Sequence, residues 1–288
     1  NSISYSNQKL LYDALYHAAS ATLNELSKDA KYLGADIGYI CILHTWGSAM
    51  NYHPHIHTIV LGGGLDDENK WKETGGKFFL PYGVISKVFR GKYLDELKSL
   101  WNDSKLKFHG TAEKYQNSYR FKELLDKCYE KNWVTYCKET FNGAQSVINY
   151  LGKYTHRIAI SNHRIKSMTD TTVTYVVKDY KNEGCWKEKT ISGEEFIRRF
   201  MMHVPPKRFV RIRHYGLLSC RNKRKKITLC RNLLGCKKYI STLKNLNAVE
   251  MIKVLYHIDV CKCSSCGGNM VSPRKDKYSS SFRAHMRC

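Results

Sequence analysis

The sequence predicts an α+β fold, in which helices flank a central antiparallel sheet. Three observations lead to this prediction: two β-rich runs lie close together near residues 38–61, helical patterns lie on both sides of them, and no internal repeat is present. Two strands joined by a short polar break usually pair antiparallel. Strands and helices that do not alternate regularly are typical of the α+β class.

The elements follow in order along the chain. A helical pattern covers residues 8–33, and the two β-rich runs at 38–45 and 55–61 are separated by glycine, serine and asparagine. The remaining predicted elements are helices at 85–107, 119–130 and 144–157 and strands at 171–178 and 186–191. We therefore predict four parts: an N-terminal helical segment (1–35), a central sheet domain (36–195), a basic region (196–250) and a cysteine-containing tail (251–288).

The composition limits the classes of function. Lysine and arginine number 48 against 25 acidic residues, which gives a net charge of +23 over 288 residues. An excess of this size predicts a polyanionic partner. No apolar run reaches the roughly 18 residues of a membrane span, and the N-terminus has no apolar signal core. The 11 cysteines are then expected to be reduced thiols, and the predicted location is the cytoplasm.

Positive charge is concentrated in one region. Residues 196–249 contain 15 lysines and arginines, no acidic residue, and interleaved aromatic residues. Cations displace counterions from phosphates and aromatic rings stack on unpaired bases, so this region predicts nucleic-acid binding. The candidate DNA-binding residues here are Arg211, Arg213, Arg221, Lys223, Arg224, Lys225 and Lys226.

The second β-rich run carries histidines at alternate positions, His53, His55 and His57. Alternate residues of a strand share a face, so His55 and His57 are predicted to point together while Ile56 points into the core. Two imidazoles on a rigid strand can hold a divalent metal. His44, on the preceding strand, is the predicted third ligand, with His53 as the alternative. Pro54 predicts an edge or a strand start, because proline cannot donate to a sheet.

A tyrosine pair lies on the predicted helix at 144–157. Tyr150 and Tyr154 are four residues apart, about 40° around a helix, and Lys153 and Arg157 lie beside them. These cations would attract phosphate and lower the pKa of a phenol. The pattern places two candidate nucleophiles next to two candidate DNA-binding cations.

Several segments together resemble the two-tyrosine HUH transposases of bacterial rolling-circle insertion sequences, which are distant relatives of Helitrons. The segments are Leu43–Gly47, His53–His57, Gly62–Leu65, Tyr150–Asn162 and Phe209–Gly216, in the family's order, within residues 38–270. The resemblance implies an HUH nuclease fold that nicks and rejoins single-stranded DNA at element ends through a 5′-phosphotyrosine. It assigns Tyr150 and Tyr154 as nucleophiles, His55 and His57 as metal ligands, and Mg²⁺ or Mn²⁺ as the metal. The family's usual N-terminal cysteine-rich zinc module has no counterpart here, which suggests a truncated chain.

Two other functions stay open at this point: a histidine-triad nucleotide hydrolase, and a non-catalytic nucleic-acid-binding protein. The tail adds a candidate structural zinc site. Cys263 and Cys266 form a C-x-x-C followed by two glycines, a spacing typical of a zinc knuckle. His285 and Cys288 could complete a tetrahedral site. The spacing of residues makes no prediction about the oligomeric state.

Overall fold

A computed structural model describes residues 1–75, 80–137, 144–155, 158–179, 184–236, 243, 245–263 and 265–270, without the side chains of 144, 145, 153 and 154. Its helices are α1 Ser2–Ser6, α2 Gln8–Lys28, α3 Tyr82–Asn102, α4 Ser118–Glu130, α5 Ala144–Thr155, α6 Gly193–Met201, α7 Lys223–Leu233 and α8 Ala248–Tyr256. Its strands are β1 Asp36–Trp46, β2 Tyr52–Leu65, β3 Trp71–Glu73, β4 Ile165–Met168, β5 Thr172–Asp179, β6 Cys185–Ser192 and β7 Ile212–Gly216. The predicted α+β class, with antiparallel sheets and flanking helices, is confirmed.

Two predicted helices end earlier than their patterns indicate. The helix predicted to reach residue 33 ends at Lys28, because Asp29 turns the chain and its carbonyl accepts from the N–H of Gly34. Gly34 has a φ of +62°, a conformation that favours glycine. The helix predicted at 85–107 begins earlier, after Pro81, and ends at Asn102.

The first sheet has the strand order β3-β2-β1-β7, and all its neighbours are antiparallel. β3 pairs only with the end of β2, at Gly63–Leu65, so the stretch of β2 that contains Pro54 lies at an edge among the described strands. The predicted edge position of Pro54 is therefore confirmed. β7 ends at Gly216, whose φ of +57° and close approach to the Ile37 carbonyl leave no room for a side chain.

Helices α2 and α3 cover one face of the first sheet. Tyr39, Cys41 and Leu43 of β1 are buried there, and Ile56 and Val60 of β2 pack against them, as the alternation predicts. Burial of apolar surface on this face supplies the main stabilisation of the sheet. The side chains of His44, His55 and His57 lie on the opposite face. Because side chains alternate along a strand, burial of the apolar residues on one face places these histidines on the other.

The second sheet has the order β4-β5-β6 and is also antiparallel. Its strands β5 and β6 agree with the predicted strands at 171–178 and 186–191. Val173, Tyr175 and Val177 of β5 point into a small core that includes Met50, from the turn between β1 and β2. This core joins the second sheet to the hairpin that carries the histidines.

The chain forms two compact units, residues 1–230 and 231–288. The second unit contains α8, whose N-terminus has a capping box formed by Asn247 and Glu250. The four-part division made from the sequence stays a prediction. Within the described ranges, no helix has both the length and the hydrophobicity to cross a membrane.

Candidate metal and tyrosine site

Three histidines meet on the face of the first sheet that lies opposite α2 and α3. His44 of β1 lies directly opposite His55 of β2 in the strand register, and His57 lies two residues further along β2. One ring nitrogen from each of the three lies within 4.8 Å of the others. The structure thus brings the predicted third ligand, His44, together with the predicted pair. His53 contributes its backbone carbonyl to this site.

Hydrogen bonds orient the imidazole of His55. Its Nδ1 lies 2.7 Å from the carbonyl oxygen of His53. A carbonyl only accepts, so Nδ1 carries the proton and Nε2 presents a lone pair. That Nε2 lies 3.2 Å from the Nε2 of His57. Burial lowers the pKa of His57 to about 3, with His44 and His55 adding to the effect, and burial also lowers the pKa of His55.

These residues fit a divalent metal. Two nitrogens bound to one ion at about 2.1 Å lie about 3.0–3.4 Å apart, and the observed Nε2 separation of His55 and His57 is 3.2 Å. Neutral imidazoles with free lone pairs are the form that coordinates. In many metal sites a ligating histidine donates its other ring N–H to a backbone carbonyl, which fixes the tautomer of the ring.

Helix α5 brings Tyr150 to the same place. The hydroxyl of Tyr150 lies 3.1 Å from Nδ1 of His57, although the two residues are 93 positions apart. His57 therefore contacts a candidate metal ligand through one nitrogen and a candidate nucleophile through the other. Tyr154 and Lys153 belong to α5, but their side chains lie outside the described residues, as does the whole of Arg157.

Side chains just before β4, on α6 and just after α6 hold the turn between the histidine strands. The turn spans residues 47–51, and its carbonyl groups accept hydrogen bonds from Arg164 to Ser48, from Arg199 to Ala49 and from His203 to Met50. The turn therefore fixes the spacing between β1 and β2 next to the histidines.

Arg211 and Arg213 are half-buried, and their side chains make internal contacts. Nη2 of Arg211 donates to the carbonyl of Thr155, at the C-terminal end of α5, at 2.8 Å. Arg213 pairs with Asp13, and its guanidinium lies 4.0 Å from the ring centroid of Tyr16. Their predicted role in DNA binding stays a prediction.

The other predicted DNA-binding cations lie on or just before α7. Arg221, Lys223, Arg224 and Lys225 are exposed. Lys226 is half-buried, and its Nζ lies 3.4 Å from the side-chain oxygen of Asn69. The helix therefore presents a run of cations to solvent.

The first half of the candidate zinc site forms a tight turn. The N–H of Gly267 donates to the carbonyl of Cys263 at 2.9 Å, and the N–H of Cys263 donates to Gly268 at 2.8 Å. Hydrogen bonds from the backbone of Cys266 and Ser265, and from the Cys266 thiol, lower the pKa of the Cys263 thiol. His285 and Cys288 lie outside the described residues.

Sequence reasoning missed two residues next to the histidines. Trp46 stacks on His44, with ring centroids 4.4 Å apart and planes at 17°. His203 is 2 % exposed and lies in the basic region, where its neighbours suggested a nucleic-acid surface. For Trp46 the alternation of β1 was a usable signal, because residues 44 and 46 share a face. For His203 no local signal exists, since its partners are about 150 residues away.

Comparisons with known proteins identify the family of the chain. A family model described as "Putative transposase" (Y2_Tnp) matches residues 38–226, more than half of the chain. The range includes most of β1 and all of β2, α5 and β7, and the chain belongs to this transposase family. No solved structure gives a significant match.

Two curated relatives carry related names. The chain is 40% identical over 234 residues to a protein named "Putative transposase y4qJ" from Sinorhizobium fredii (strain NBRC 101917 / NGR234), covering 81% of this chain and 59% of the relative. It is 28% identical over 272 residues to "Transposase for insertion sequence element IS801" from Pseudomonas savastanoi pv. phaseolicola, covering 91% of this chain and 62% of the relative. The chain spans less than two thirds of the length of either relative.

Proposed function

We propose that the chain is the catalytic part of an HUH-type transposase, which nicks and rejoins single-stranded DNA in rolling-circle-type transposition. One observation carries the proposal: the Tyr150 hydroxyl lies 3.1 Å from Nδ1 of His57, within a cluster of three histidines. A hydroxyl nucleophile beside a divalent-metal site is suited to phosphoryl transfer. Membership of a transposase family supports the same conclusion at a coarser level.

The proposed reaction is a transesterification. The phenolic oxygen of Tyr150 forms a bond to the phosphorus of a backbone phosphodiester, and the bond from phosphorus to the 3′ oxygen breaks. The phenol loses its proton to solvent and the departing 3′ oxygen gains one, which leaves a 5′-phosphotyrosine and a free 3′-OH. The number of phosphoester bonds is unchanged, so rejoining needs no ATP. Tyr154 is the proposed second nucleophile, which would hold one strand while the other is cut.

The proposed cofactor is a divalent metal, Mn²⁺ or Mg²⁺, held by His44, His55 and His57. A donor set made only of imidazoles favours Mn²⁺ over Mg²⁺, which prefers oxygen ligands. When bound, the ion would polarise the scissile phosphate. The chain's own contribution is to hold His55 in one tautomer, through the carbonyl of His53, and to hold Tyr150 against His57.

The proposed partner is single-stranded DNA at the ends of a mobile element, in the bacterial cytoplasm and at the nucleoid when bound. The exposed cations from Arg221 to Lys225 support contact with backbone phosphates. Lys153 and Arg157 are proposed to contact phosphate beside the tyrosines.

A structural Zn²⁺ in the tail is a separate proposal. The turn that contains Cys263 and Cys266 directs backbone N–H groups at a thiol, which favours the thiolate that zinc binds. His285 and Cys288 are the proposed partners. Metal analysis of the purified chain should find zinc, which should be lost on replacing Cys263 and Cys266 with serine; a zinc-free wild type contradicts the proposal.

The central test is a cleavage assay. The full chain is incubated with single-stranded DNA from an element end and Mn²⁺, then run on a denaturing gel. The wild type should form a covalent protein–DNA adduct, and the double variant Tyr150→Phe, Tyr154→Phe should form none, because phenylalanine keeps the packing but lacks the nucleophilic oxygen.

Two controls make this result specific. The double variant should still bind DNA, and the matched variant Tyr119→Phe, which changes an exposed tyrosine of α4, should form adduct like the wild type. Adduct in the double variant, or nucleotide hydrolysis that survives loss of both tyrosines, would contradict the proposal.

A further inference from the structure

Among the described contacts of helix α5, two bear on how the tyrosine helix faces the histidines. We infer that Arg211 is a positioning residue that holds α5 with Tyr150 facing the histidine cluster, so that Tyr150 makes the first attack on DNA and Tyr154 acts second. This inference rests on the proposed function. It changes the role expected of Arg211 from a DNA contact to an internal support.

The first contact is the one between Tyr150 and His57, at 3.1 Å. The second lies five residues further along, where Arg211 Nη2 donates to the carbonyl of Thr155 at 2.8 Å. The last carbonyls of a helix have no partner within the helix, and a cation at this end also interacts favourably with the helix dipole. Arg211 therefore supplies a bond that the end of α5 needs.

Arg211 lies just before β7 and bonds through its backbone to the sheet that carries the histidines. Its backbone carbonyl accepts from the N–H of Leu43, at 2.9 Å, and from the hydroxyl of Tyr16. Its guanidinium lies 6.0 Å from the ring centroid of Trp46, the ring that stacks on His44. The contacts form a closed ring that runs from α5 through Arg211, Trp46, His44 and His57 back to α5.

Two contacts five residues apart restrict rotation and sliding of a helix. Residues 150 and 154 differ by about 40° around the axis and about 6 Å along it. Bringing residue 154 to the place that residue 150 occupies requires that movement, and it breaks the bond from Arg211 to Thr155. The first transfer therefore joins the Tyr150 oxygen to phosphorus and releases the 3′-OH, with protons exchanged as above.

The test maps the first adduct by mass spectrometry of tryptic peptides at early reaction times. In the wild type the DNA should be on Tyr150, and Tyr150→Phe should slow the first cleavage by about tenfold or more. The matched variant Tyr119→Phe, which changes an exposed tyrosine of α4, should leave that rate unchanged. Arg211→Ala should lower kcat by about tenfold and move part of the adduct to Tyr154, without changing KM or the salt dependence of DNA binding.

Arg211→Lys keeps one cationic donor for the Thr155 carbonyl. It should therefore restore in part the wild-type division of the adduct between Tyr150 and Tyr154, a recovery that is not expected if Arg211→Ala acts only by lowering stability. It also serves as the test variant where Arg211→Ala does not fold. Arg120→Ala, at an exposed arginine of α4 outside the basic region, is the matched control and should leave the division of the adduct between the two tyrosines unchanged. An adduct that forms first on Tyr154, or a partition unchanged by loss of Arg211, overturns the inference alone. No adduct on either tyrosine in the wild type overturns the proposed function as well.

Discussion

Two groups of cations in the basic region differ in what surrounds them. Arg211 and Arg213, on and just before β7, are half-buried and contact a helix end, an aspartate and aromatic rings. The cations from Arg221 to Lys225 lie ten residues further along and are exposed. On β7 and just before it, the arginines contact internal partners. On α7 and just before it, the cations are exposed to solvent.

This difference shows that a run of cations in a sequence can contain two functions. An arginine offers a planar donor group and an aliphatic stem, which suit half-buried positions against aromatic rings. Lysines on an exposed helix are strongly hydrated point charges, which suit nonspecific phosphate contacts. We therefore expect the two groups to respond to different measurements.

The largest effect is expected from neutralising the exposed group. Replacement of Arg221, Lys223, Arg224 and Lys225 with glutamine should weaken single-stranded DNA binding and reduce the slope of log affinity against log salt by about 3, since each phosphate contact contributes about 0.7. The measurement is fluorescence anisotropy at several salt concentrations.

The matched control removes the same charge elsewhere. Lys98, Lys105, Lys122 and Lys127 are exposed and lie outside the basic region, so their replacement with glutamine should leave the slope unchanged. Equal slopes for the two quadruple variants would show that net charge alone drives binding.

A smaller effect, on stability rather than binding, is expected from the internal group. Arg213→Ala removes the pair with Asp13 and the contact with the ring of Tyr16, and should lower the free energy of unfolding by about 2 kcal/mol. Arg224→Ala should change it by less than about 0.5 kcal/mol. Urea denaturation measures the free energy of unfolding of both variants. A similar decrease in the two would contradict the difference proposed between the internal and the exposed cations.

Much of the candidate site could be predicted from local patterns. The alternation around His55 and His57 predicts their shared face, and the short break before it predicts the antiparallel partner that carries His44. The register that pairs His44 with His55 explains why the candidate third ligand lies beside the predicted pair. The spacing of the tyrosines predicts the helix, although not that Tyr150 would contact His57.

The roles of Arg211, Arg213 and His203 could not be predicted. Arg213 pairs with a residue 200 positions away, and His203 bonds to Thr45 and Met50 across more than 150. No local pattern carries information about such partners. Their neighbours are cations and aromatic residues, so local composition favoured DNA binding for the whole region.

The turn between β1 and β2 has a consequence for synthesis of the protein. A hairpin forms within about 10 μs, once both of its strands are present. The donors that satisfy the turn carbonyls are 116 to 153 residues later in the chain. At about 5–20 residues per second, the ribosome needs roughly 6–31 s to deliver them. During that interval the histidine hairpin of the nascent chain is without the contacts that hold its turn, and it is the region where we expect chaperones to bind.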